Sequence, residues 1–465
     1  MQLHIGLGSF HRAHQAACLH RLRESGDRSW SIAAGNARDD MAGTVAELAA
    51  QGGAYTLETV TPAGERAYER ITSITRVIPF TPDQAGLVAA GADPDTRIIS
   101  FTVTEAGYAL DAHDRLELRT PELVADVQAA RQGRAGTSIH AVLTAILRAR
   151  MQAGAGPVTL LCCDNLRHNG DRSRSGLMQF IDATGDRALA AWVEASTSSP
   201  NAMVDRITPR PTPDIAERMR AATGWADAAP VMAESFLQWV IEDRFIAGRP
   251  AWENAGAAMV DSVAPYEEAK IRILNASHSC IAWAGTLAGL ESIHEGTHDA
   301  TIRSFVHAYV TDDVIPCLHR PGAPSPLDLA AYRDVVLDRF GNPAIRDANQ
   351  RVAADSFAKI AGFIRPTLVD RLARKERIDS TAMLPALFLA FLRRWHQGTL
   401  PYTYQDQAMD PKLAHAICEA ADPAAALCAD ATLFGPITGD PRLVAAVRAA
   451  GERVLAFEAR RQPAS

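Results

Sequence analysis

Residues 6–12 read Gly6-Leu7-Gly8-Ser9-Phe10-His11-Arg12 and join a predicted strand, Leu3–Leu7, to a predicted helix, His11–Glu24. A strand, a Gly-x-Gly turn and a helix in this order are typical of a loop whose backbone N–H groups bind a dinucleotide pyrophosphate. Gly6 would permit the tight turn, and Gly8 would let the phosphate approach the backbone. Such loops usually have a third glycine where His11 stands, so a turn that binds no ligand remains an alternative.

Short apolar strands alternate with helical patterns through the N-terminal part of the chain. This alternation predicts an α/β fold with a doubly wound, Rossmann-type parallel sheet. Later in the chain, long helical patterns rich in Ala, Leu and Arg replace the strands. We therefore predict a NAD-binding domain over residues 1–260 and a mainly α-helical substrate-binding domain over residues 261–465. The predicted strands also include Ser31–Ala34, Tyr55–Val60, Arg97–Thr104 and Pro157–Cys163, and the predicted helices Ser138–Gln152, Tyr266–Leu290, Thr301–Val310, Ala382–Trp395 and Pro441–Arg460.

The second predicted strand ends in Asn36-Ala37-Arg38-Asp39-Asp40. An acidic residue at this point usually binds the adenosine ribose hydroxyls and repels the 2′-phosphate of NADP. Asp39 or Asp40 fits that role, which favours NAD. Arg38 is the residue type that an NADP site would use, and a solvated loop would also have this composition, so both alternatives remain open.

Composition excludes several classes of protein. The 465 residues are 47% hydrophobic and carry a formal net charge of -7, which argues against binding of nucleic acid. The longest apolar run, Ala382–Leu392, is much shorter than the roughly 20 residues that span a membrane. We expect no signal peptide at Met1–Ile5, and the seven scattered cysteines fit neither a disulfide framework nor a zinc site. These features predict a cytoplasmic protein without a membrane partner.

The segment Lys270–His278 contains the densest set of reactive side chains. On an α-helix, at about 100° per residue, Lys270, Asn275 and His278 fall within an arc of roughly 140°. Oxidation of an alcohol needs a base for the hydroxyl proton, donors for the developing alkoxide and a hydride acceptor. A lysine can be that base if burial or nearby cations lower its pKa. A polar helix face with ordinary hydrogen bonds is the alternative.

Another polar segment, Asp164–Gly170, follows the predicted strand that ends at Cys163. Ligands of open α/β sheets bind beyond the carboxyl ends of the strands, which is where Asn165 would lie. Cys162, Cys163 and His168 would be a poor zinc site, because adjacent cysteines have the wrong spacing.

Together these segments resemble the long-chain mannitol dehydrogenase family. The resemblance runs in order from residue 4 to about residue 410, and its motifs are His4–Gln15, Cys163–Asn165, Asn169-Gly170, Met203–Pro209 and Pro265–His278. It implies a metal-independent enzyme that uses NAD to oxidise a secondary alcohol of a sugar alcohol, and that works as a monomer. Within the family, residues 267–287, Tyr332–Leu337 and Gly398–Tyr402 resemble the members that convert D-arabinitol to D-xylulose.

The resemblance also implies roles for individual residues. Lys270 would be the general base, and Asn165 and Asn275 would form the oxyanion hole. His278 would orient the substrate, and Glu105 would relay the lysine's proton to water. The substrate pocket would include Asp205, Arg351 and Lys359, and the cofactor site would include Gly6, Gly8, Ser9, Phe10, Arg12, Asp39 and Asp40.

Three alternatives remain open at this point. The first is the same chemistry on mannitol and fructose, or on another polyol or uronate of the family. The second is a non-catalytic dinucleotide-binding sensor, which would bind the cofactor without turnover. The third is a zinc-dependent alcohol dehydrogenase, which would lose activity with a chelator. Ala106, which stands where the family usually has glycine, removes no chemical group from the site.

Overall fold

The computed structural model describes residues 1–111, 113–209 and 211–461. It divides into two compact units, which we call the N-terminal and C-terminal units. The N-terminal unit consists of Met1–Thr61 and Glu65–Ala264, and the C-terminal unit consists of Pro62–Gly64 and the residues from Pro265 onward.

All the strands of the described residues lie in the N-terminal unit. They are β1 Gln2–Ile5, β2 Ile32–Gly35, β3 Tyr55–Val60, β4 Arg66–Ile71, β5 Ile74–Ile78, β6 Ile98–Phe101, β7 Val158–Cys162, β8 Thr197–Ser198, β9 Ala202–Asp205, β10 Val231–Glu234, β11 Gln238–Glu242 and β12 Ala258–Val260. Six of them form the main sheet in the order β5-β2-β1-β6-β7-β8, with every neighbouring pair parallel. Numbered along the chain, this order is 3-2-1-4-5-6, the doubly wound arrangement. The predicted Rossmann-type sheet is thus confirmed.

The main sheet is buried on both faces. On one face, Leu3, Ile5 and Phe101 pack in one apolar cluster, and on the other, Ile32 and Ala34 pack in another. Successive residues of a strand point to opposite faces, so helices on both sides require almost continuous apolar strands. This requirement is why the short apolar runs predicted these strands.

The strand Tyr55–Val60 forms where it was predicted, but it lies outside the main sheet. It belongs to a three-stranded sheet, β10-β3-β4, in which it pairs with β4 in antiparallel orientation. The reason is the connection: residues 61–65 are too few for the crossover of about a dozen residues that a parallel neighbour needs. A second small sheet has the order β12-β11-β9.

Helices cover the main sheet of the N-terminal unit. They are α1 Ser9–Ala13, α2 Gln15–Glu24, α3 Ala42–Ala50, α4 Ala85–Ala92, α5 Pro121–Arg131, α6 Ile139–Ala153, α7 Asn169–Thr184, α8 Arg187–Ser196 and α9 Ile215–Thr223, with 3₁₀ turns at Glu105–Tyr108 and Trp252–Ala255. The prediction of one continuous helix over His11–Glu24 was wrong, because the helix breaks at His14. The Tyr55 hydroxyl and the Arg206 guanidinium donate to the carbonyl oxygens of Arg12 and Ala13, which compete with hydrogen bonds along the helix.

The C-terminal unit is helical. Its α-helices are α10 Ala264–Ala269, α11 Ala276–Leu287, α12 Ile293–His298, α13 Ala300–Ala308, α14 Ile315–Leu318, α15 Leu329–Phe340, α16 Asn349–Ala353, α17 Ser356–Lys359, α18 Arg365–Ala373, α19 Met383–His396, α20 Pro411–Glu419, α21 Pro423–Cys428, α22 Ala431–Phe434 and α23 Pro441–Ala459. Three segments are π-helical, Lys270–Asn275, Tyr309–Val314 and Ile360–Ile364, and Gly435–Ile437 is a 3₁₀ turn. Helix α11 is buried all round, with Trp283 packed on Phe388, so it forms the centre of the unit's core. Within the described residues, no helix combines the length and apolar character needed to cross a membrane.

Candidate functional site

A cavity of about 640 Å³ opens at the carboxyl ends of the central strands of the main sheet. It lies beside β1 and β6, where the strand order reverses, which is the usual ligand position in open α/β sheets. Its volume is within the range of about 300–1,000 Å³ that small-molecule and cofactor sites occupy. Of the residues predicted for the site, it is lined by Gly6, Gly8, Ser9, Phe10, Asp40, Glu105 and Asn165.

The glycine loop borders this cavity. Gly6 has a φ of +112°, and a Cβ there would collide with the carbonyl oxygen of Thr102. At Gly8, by contrast, none of the described residues apart from its chain neighbours comes within 4 Å of the position that a Cβ would take, so the loop leaves open space there. Asn36 also lines the cavity and accepts the Leu7 N–H at 2.6 Å. Its buried Nδ2 has no hydrogen-bond partner among the described residues and can donate to a ligand.

His11, which stands where such loops usually have a third glycine, packs against another ring. It stacks on His4 of β1, with ring centroids 3.3 Å apart and planes within 9° of parallel. His4 contacts Ser100 Oγ at 2.8 Å and the Gly6 carbonyl oxygen at 3.2 Å. The stacked rings therefore pack directly against the glycine loop. Burial lowers the pKa of His4 to about 3 and holds the pKa of His11 well below its ordinary value.

Two residues predicted for the cofactor site are not part of the cavity lining. Arg12 is buried, donates to the Ala229 carbonyl and lies over the Tyr55 ring, 5.4 Å from its centroid. Its contacts are therefore those of a packing residue, and burial lowers its pKa. Asp39 is exposed, whereas Asp40 and Arg38 line the cavity. Of the two acids predicted for the ribose, only Asp40 therefore lines the cavity.

Asp164 fixes the segment that presents Glu105. Its carboxylate accepts the N–H groups of Val103 and Thr104 at 2.8 and 3.0 Å, and the Tyr108 hydroxyl at 2.6 Å. Thr104 has a φ of +68°, which these bonds hold in place. Burial raises the pKa of Asp164, although the three hydrogen bonds oppose it. Asp164 was not among the predicted site residues, because its partners lie about 60 residues away and its only signal in the sequence is its position directly before Asn165.

Asp205, predicted for the substrate pocket, ends strand β9. It is buried and pairs with Gln238 of β11, the antiparallel neighbour of β9. It does not line the cavity of the N-terminal unit.

In the C-terminal unit, Lys270 and Asn275 begin and end a π-helical turn. The α-helical geometry predicted for this segment was wrong. In a π-helix, residue i bonds to residue i+5, so Asn275 lies about one turn beyond Lys270. Tyr309 stabilises the turn by donating its hydroxyl to the Arg272 carbonyl at 2.8 Å.

Arg272, within the same turn, has a structural role. Its guanidinium pairs with Glu268 at 2.7 Å and with Asp370 at 2.6 Å. The turn that contains it also packs against the π segments Tyr309–Val314 and Ile360–Ile364. Single π turns within helices are rare and are frequent at functional sites. Two further π segments packed against this one mark this part of the C-terminal unit as a candidate site.

His278 is held between a ring and a carboxylate. It stacks on Phe340, with centroids 4.4 Å apart, and its Nε2 lies 3.2 Å from Asp347 Oδ2, although the N–H is not well aligned with that oxygen. Burial lowers the pKa of His278, while Asp347 opposes that shift. Asp347 also accepts Arg351 Nε at 2.6 Å. Burial opposes its ionisation, but the contacts with His278 and Arg351 hold the pKa of Asp347 well below its usual range.

The positive charges of Arg351 and Lys359 also lower the pKa of His278. Lys359 donates its Nζ to the carbonyl oxygens of Val352 and Ala354, each at 2.6 Å. Burial lowers the pKa of Lys359 to about 8; Asp355 opposes this shift and Arg351 adds to it. Sequence analysis found His278, Arg351 and Lys359 but missed Asp347, although its position four residues before Arg351 was a usable signal.

Cysteines and metal-binding side chains are the other groups from which a reactive site could be built. All seven cysteines are free, and Cys162 and Cys163 are buried. Within the part of the chain that the structure describes, no three His, Cys, Asp or Glu side chains are grouped so that they could hold a metal ion.

Two sequence-family models match nearly the whole chain. The mannitol dehydrogenase Rossmann domain matches residues 1–254, and the mannitol dehydrogenase C-terminal domain matches residues 262–455. The chain belongs to the mannitol dehydrogenase family. The resemblance inferred from the sequence is therefore confirmed, and so is a Rossmann-type domain followed by a helical one. Members of this family are polyol dehydrogenases, and this chain is one of them.

Relatives with assigned activities cover almost the full length. The D-arabinitol 4-dehydrogenase of Ralstonia nicotianae is 60% identical over 463 residues, which is 99% of this chain and 97% of the relative. That of Klebsiella pneumoniae is 54% identical over 446 residues, or 96% of each chain. A solved ternary complex of Pseudomonas fluorescens mannitol 2-dehydrogenase with NAD and D-mannitol is 32% identical, with a TM-score of 0.82 over 99% of this chain and 93% of the other.

Proposed function

We propose that this polyol dehydrogenase oxidises D-arabinitol to D-xylulose, and catalyses the reverse reduction, with NAD and without a metal. The observation that carries the proposal is the π turn on which Lys270 and Asn275, an amine and a carboxamide, stand one turn apart. The choice of substrate is supported by the 60% and 54% identity to two D-arabinitol 4-dehydrogenases.

In this proposal, Lys270 takes the proton from the reacting hydroxyl. The amides of Asn165 and Asn275 donate hydrogen bonds to the same oxygen, where negative charge develops, and this type of stabilisation is commonly the largest catalytic contribution. His278, neutral because its pKa is lowered, can accept a hydrogen bond from a neighbouring substrate hydroxyl. Glu105 then passes the proton held by Lys270 to water.

Three further residues are proposed to bind the part of the polyol away from the reacting carbon. Arg351 and Lys359 would donate to hydroxyl groups away from the reacting carbon, and Asp205 would accept from them. These roles explain why a sugar alcohol, with a hydroxyl on every carbon, suits a set of donors and acceptors.

The residues of the N-terminal cavity fit a dinucleotide. Gly6 and Gly8 shape the loop for a pyrophosphate, with Ser9 and Phe10 beside it, and the unpartnered Nδ2 of Asn36 offers a donor. Asp40 can accept from ribose hydroxyls. Bound NAD supplies the acceptor for the hydride that leaves the carbinol carbon. The 32% identical neighbour is a complex with NAD and D-mannitol, which supports this cofactor.

We also propose that the enzyme works as a monomer in the cytoplasm, where its seven free thiols would persist. Oxidation of mannitol is the second candidate, because the same neighbour binds D-mannitol.

A substrate panel tests the proposal. NADH formation would be followed by absorbance with D-arabinitol, mannitol, sorbitol, xylitol and ribitol, each with NAD and NADP, with and without EDTA. We expect the fastest turnover with D-arabinitol and NAD, unaffected by EDTA. A preference for mannitol would change the substrate and keep the chemistry. Cofactor binding without turnover of any polyol would favour the sensor, and a loss of activity with EDTA would favour a metal enzyme.

A further inference from the structure

Arg38, which follows strand β2, contributes a positive charge to the lining of the N-terminal cavity. An arginine at this position is what a site for a 2′-phosphate would use. In the structure, however, its guanidinium is already paired: Arg38 Nη2 lies 2.7 Å from Glu122 Oε1. The partner comes from helix α5 and is 84 residues away in the sequence.

Glu122 is held where a carboxylate is stabilised. It lies in the first turn of α5, which begins at Pro121 after the capping side chain of Thr120. The N-terminal end of a helix carries partial positive charge, which favours the ionised carboxylate. The same Oε1 also accepts the Thr137 hydroxyl at 3.4 Å, and Thr137 is a second residue of the cavity lining. Glu122 thus binds two lining residues although it is not itself part of the lining.

We propose that Glu122 is a specificity-determining residue for the cofactor. By pairing with Arg38, it withholds the guanidinium from a 2′-phosphate and adds negative charge beside the place where that phosphate would bind. The site therefore selects a dinucleotide with a free 2′-hydroxyl. This inference rests on the proposed function and deepens its choice of NAD.

The charges near Arg38 also favour a dinucleotide without a 2′-phosphate. Arg38 and Glu122 together are neutral, which leaves the Asp40 carboxylate as a net negative charge on the wall. A 2′-phosphate carries about −1.5 to −2 charges at pH 7 and would be repelled. With glutamine in place of Glu122, the Arg38 charge is no longer neutralised and can bind the phosphate.

The exposure of the Arg38–Glu122 ion pair limits how far the substitution can change the selectivity for NAD over NADP. The side chains of Arg38 and Glu122 are 53% and 45% exposed. Solvent weakens an ion pair of this kind, so we expect a moderate change in selectivity, of about 2- to 5-fold.

Calorimetric titration with NAD and NADP tests the proposal without turnover. The measured quantity is the ratio of the NADP Kd to the NAD Kd for the full-length protein and the variants Glu122→Gln, Arg38→Gln and Glu122→Gln/Arg38→Gln. We expect the ratio to fall about 2- to 5-fold in Glu122→Gln and not to fall in the double variant, because the gain requires Arg38. The matched control is Glu253→Gln, which removes a similarly exposed partner of Arg249 at 2.7 Å and should leave the ratio unchanged.

Two results would overturn the proposal: an unchanged ratio in Glu122→Gln, or a gain that persists in the double variant. A starting protein that binds NADP as tightly as NAD would instead contradict the cofactor in the proposed function. The thermal unfolding midpoint of each variant shows whether a change in Kd reflects lost structure.

Discussion

Lys270 and Asn275 are the first and last residues of one π-helical turn. On a regular α-helix, at about 100° per residue, they would be about 140° apart around the axis. The i→i+5 spacing of the π turn brings them nearer to the same face. The proposed base and one proposed oxyanion donor therefore depend on a local departure from α-helical geometry.

The amide of Asn275 should contribute to the transition state more than to cofactor binding. We expect Asn275→Ala to lower kcat by about 100-fold, because loss of one oxyanion donor typically has an effect of this size. The NADH Kd should stay within about twofold of the starting value, as steady-state kinetics and NADH fluorescence titration would show. Asn254→Ala, at an exposed asparagine of the N-terminal unit, is the control. An equal loss of NADH affinity would make Asn275 a folding or cofactor residue.

Tyr309 should affect catalysis through the π turn. Tyr309→Phe removes the hydrogen bond to the Arg272 carbonyl, which we expect to lower the free energy of unfolding by about 1 kcal/mol. Because this bond lies inside the turn, kcat should also fall, by roughly 5-fold for a loss of that size.

Tyr402→Phe is the matched control for this variant. Tyr402 makes a 2.6 Å hydrogen bond with Thr286 elsewhere in the same unit. The Tyr402→Phe protein should lose a similar free energy of unfolding, and its kcat should not change. If both variants lose stability and neither loses turnover, the π turn does not set the geometry of catalysis.

Asp347 should control substrate binding through His278 and Arg351. We expect Asp347→Asn to raise the KM for the polyol by about 10-fold, because removing a charged partner frees both side chains to move. The NADH Kd should not change, since the cofactor residues lie in the N-terminal unit. Asp338→Asn, which removes an exposed carboxylate 3.5 Å from Arg303, is the control. An unchanged KM would limit Asp347 to a structural role.

The stacked histidines of the N-terminal unit should make the fold sensitive to acid. Burial lowers the pKa of His4 to about 3, whereas the unfolded chain takes up this proton near the ordinary value of about 6.5. Stability from the neutral ring is therefore fully present above about pH 6.5 and is lost as the pH falls from there toward about 3.

Thermal midpoints at pH 7.5 and 5.0 measure this effect. Between about pH 6.5 and about pH 3, each such group contributes a slope of up to about 1.4 kcal/mol per pH unit. We expect the drop in midpoint between the two pH values to be smaller in His4→Asn than in the starting protein. His113→Asn, at an exposed histidine, should keep the full drop. The same drop in all three proteins would show that His4 does not take part.

The parts of the fold that sequence analysis predicted are those with local signals. Strands buried on both faces are short apolar runs, and the turn at Gly6 needs a residue that tolerates a φ of +112°. The segments that it got wrong depend on partners far along the chain. The break at His14 accompanies hydrogen bonds from Tyr55 and Arg206, and the π turn at Lys270–Asn275 accepts one from Tyr309.

The candidate site shows the same division. The lysine, the amides and His278 are recognisable as chemical groups wherever they stand, so sequence analysis named them. Asp164 and Asp347 act by holding other residues, and their contacts appear only after folding. Arg38 left the choice of cofactor open in the sequence, because its partner Glu122 is not a neighbour along the chain.

The central claim is that Lys270 is the general base, and its most direct test is the turnover of Lys270→Ala beside its affinity for NADH. Loss of a general base typically lowers the rate by about 10²- to 10⁴-fold, so kcat should fall by at least about 100-fold. NADH affinity should be retained, and Lys412→Ala, at an exposed lysine of α20, should behave as the starting protein does. A Lys270→Ala variant with near-normal turnover of D-arabinitol would contradict the account.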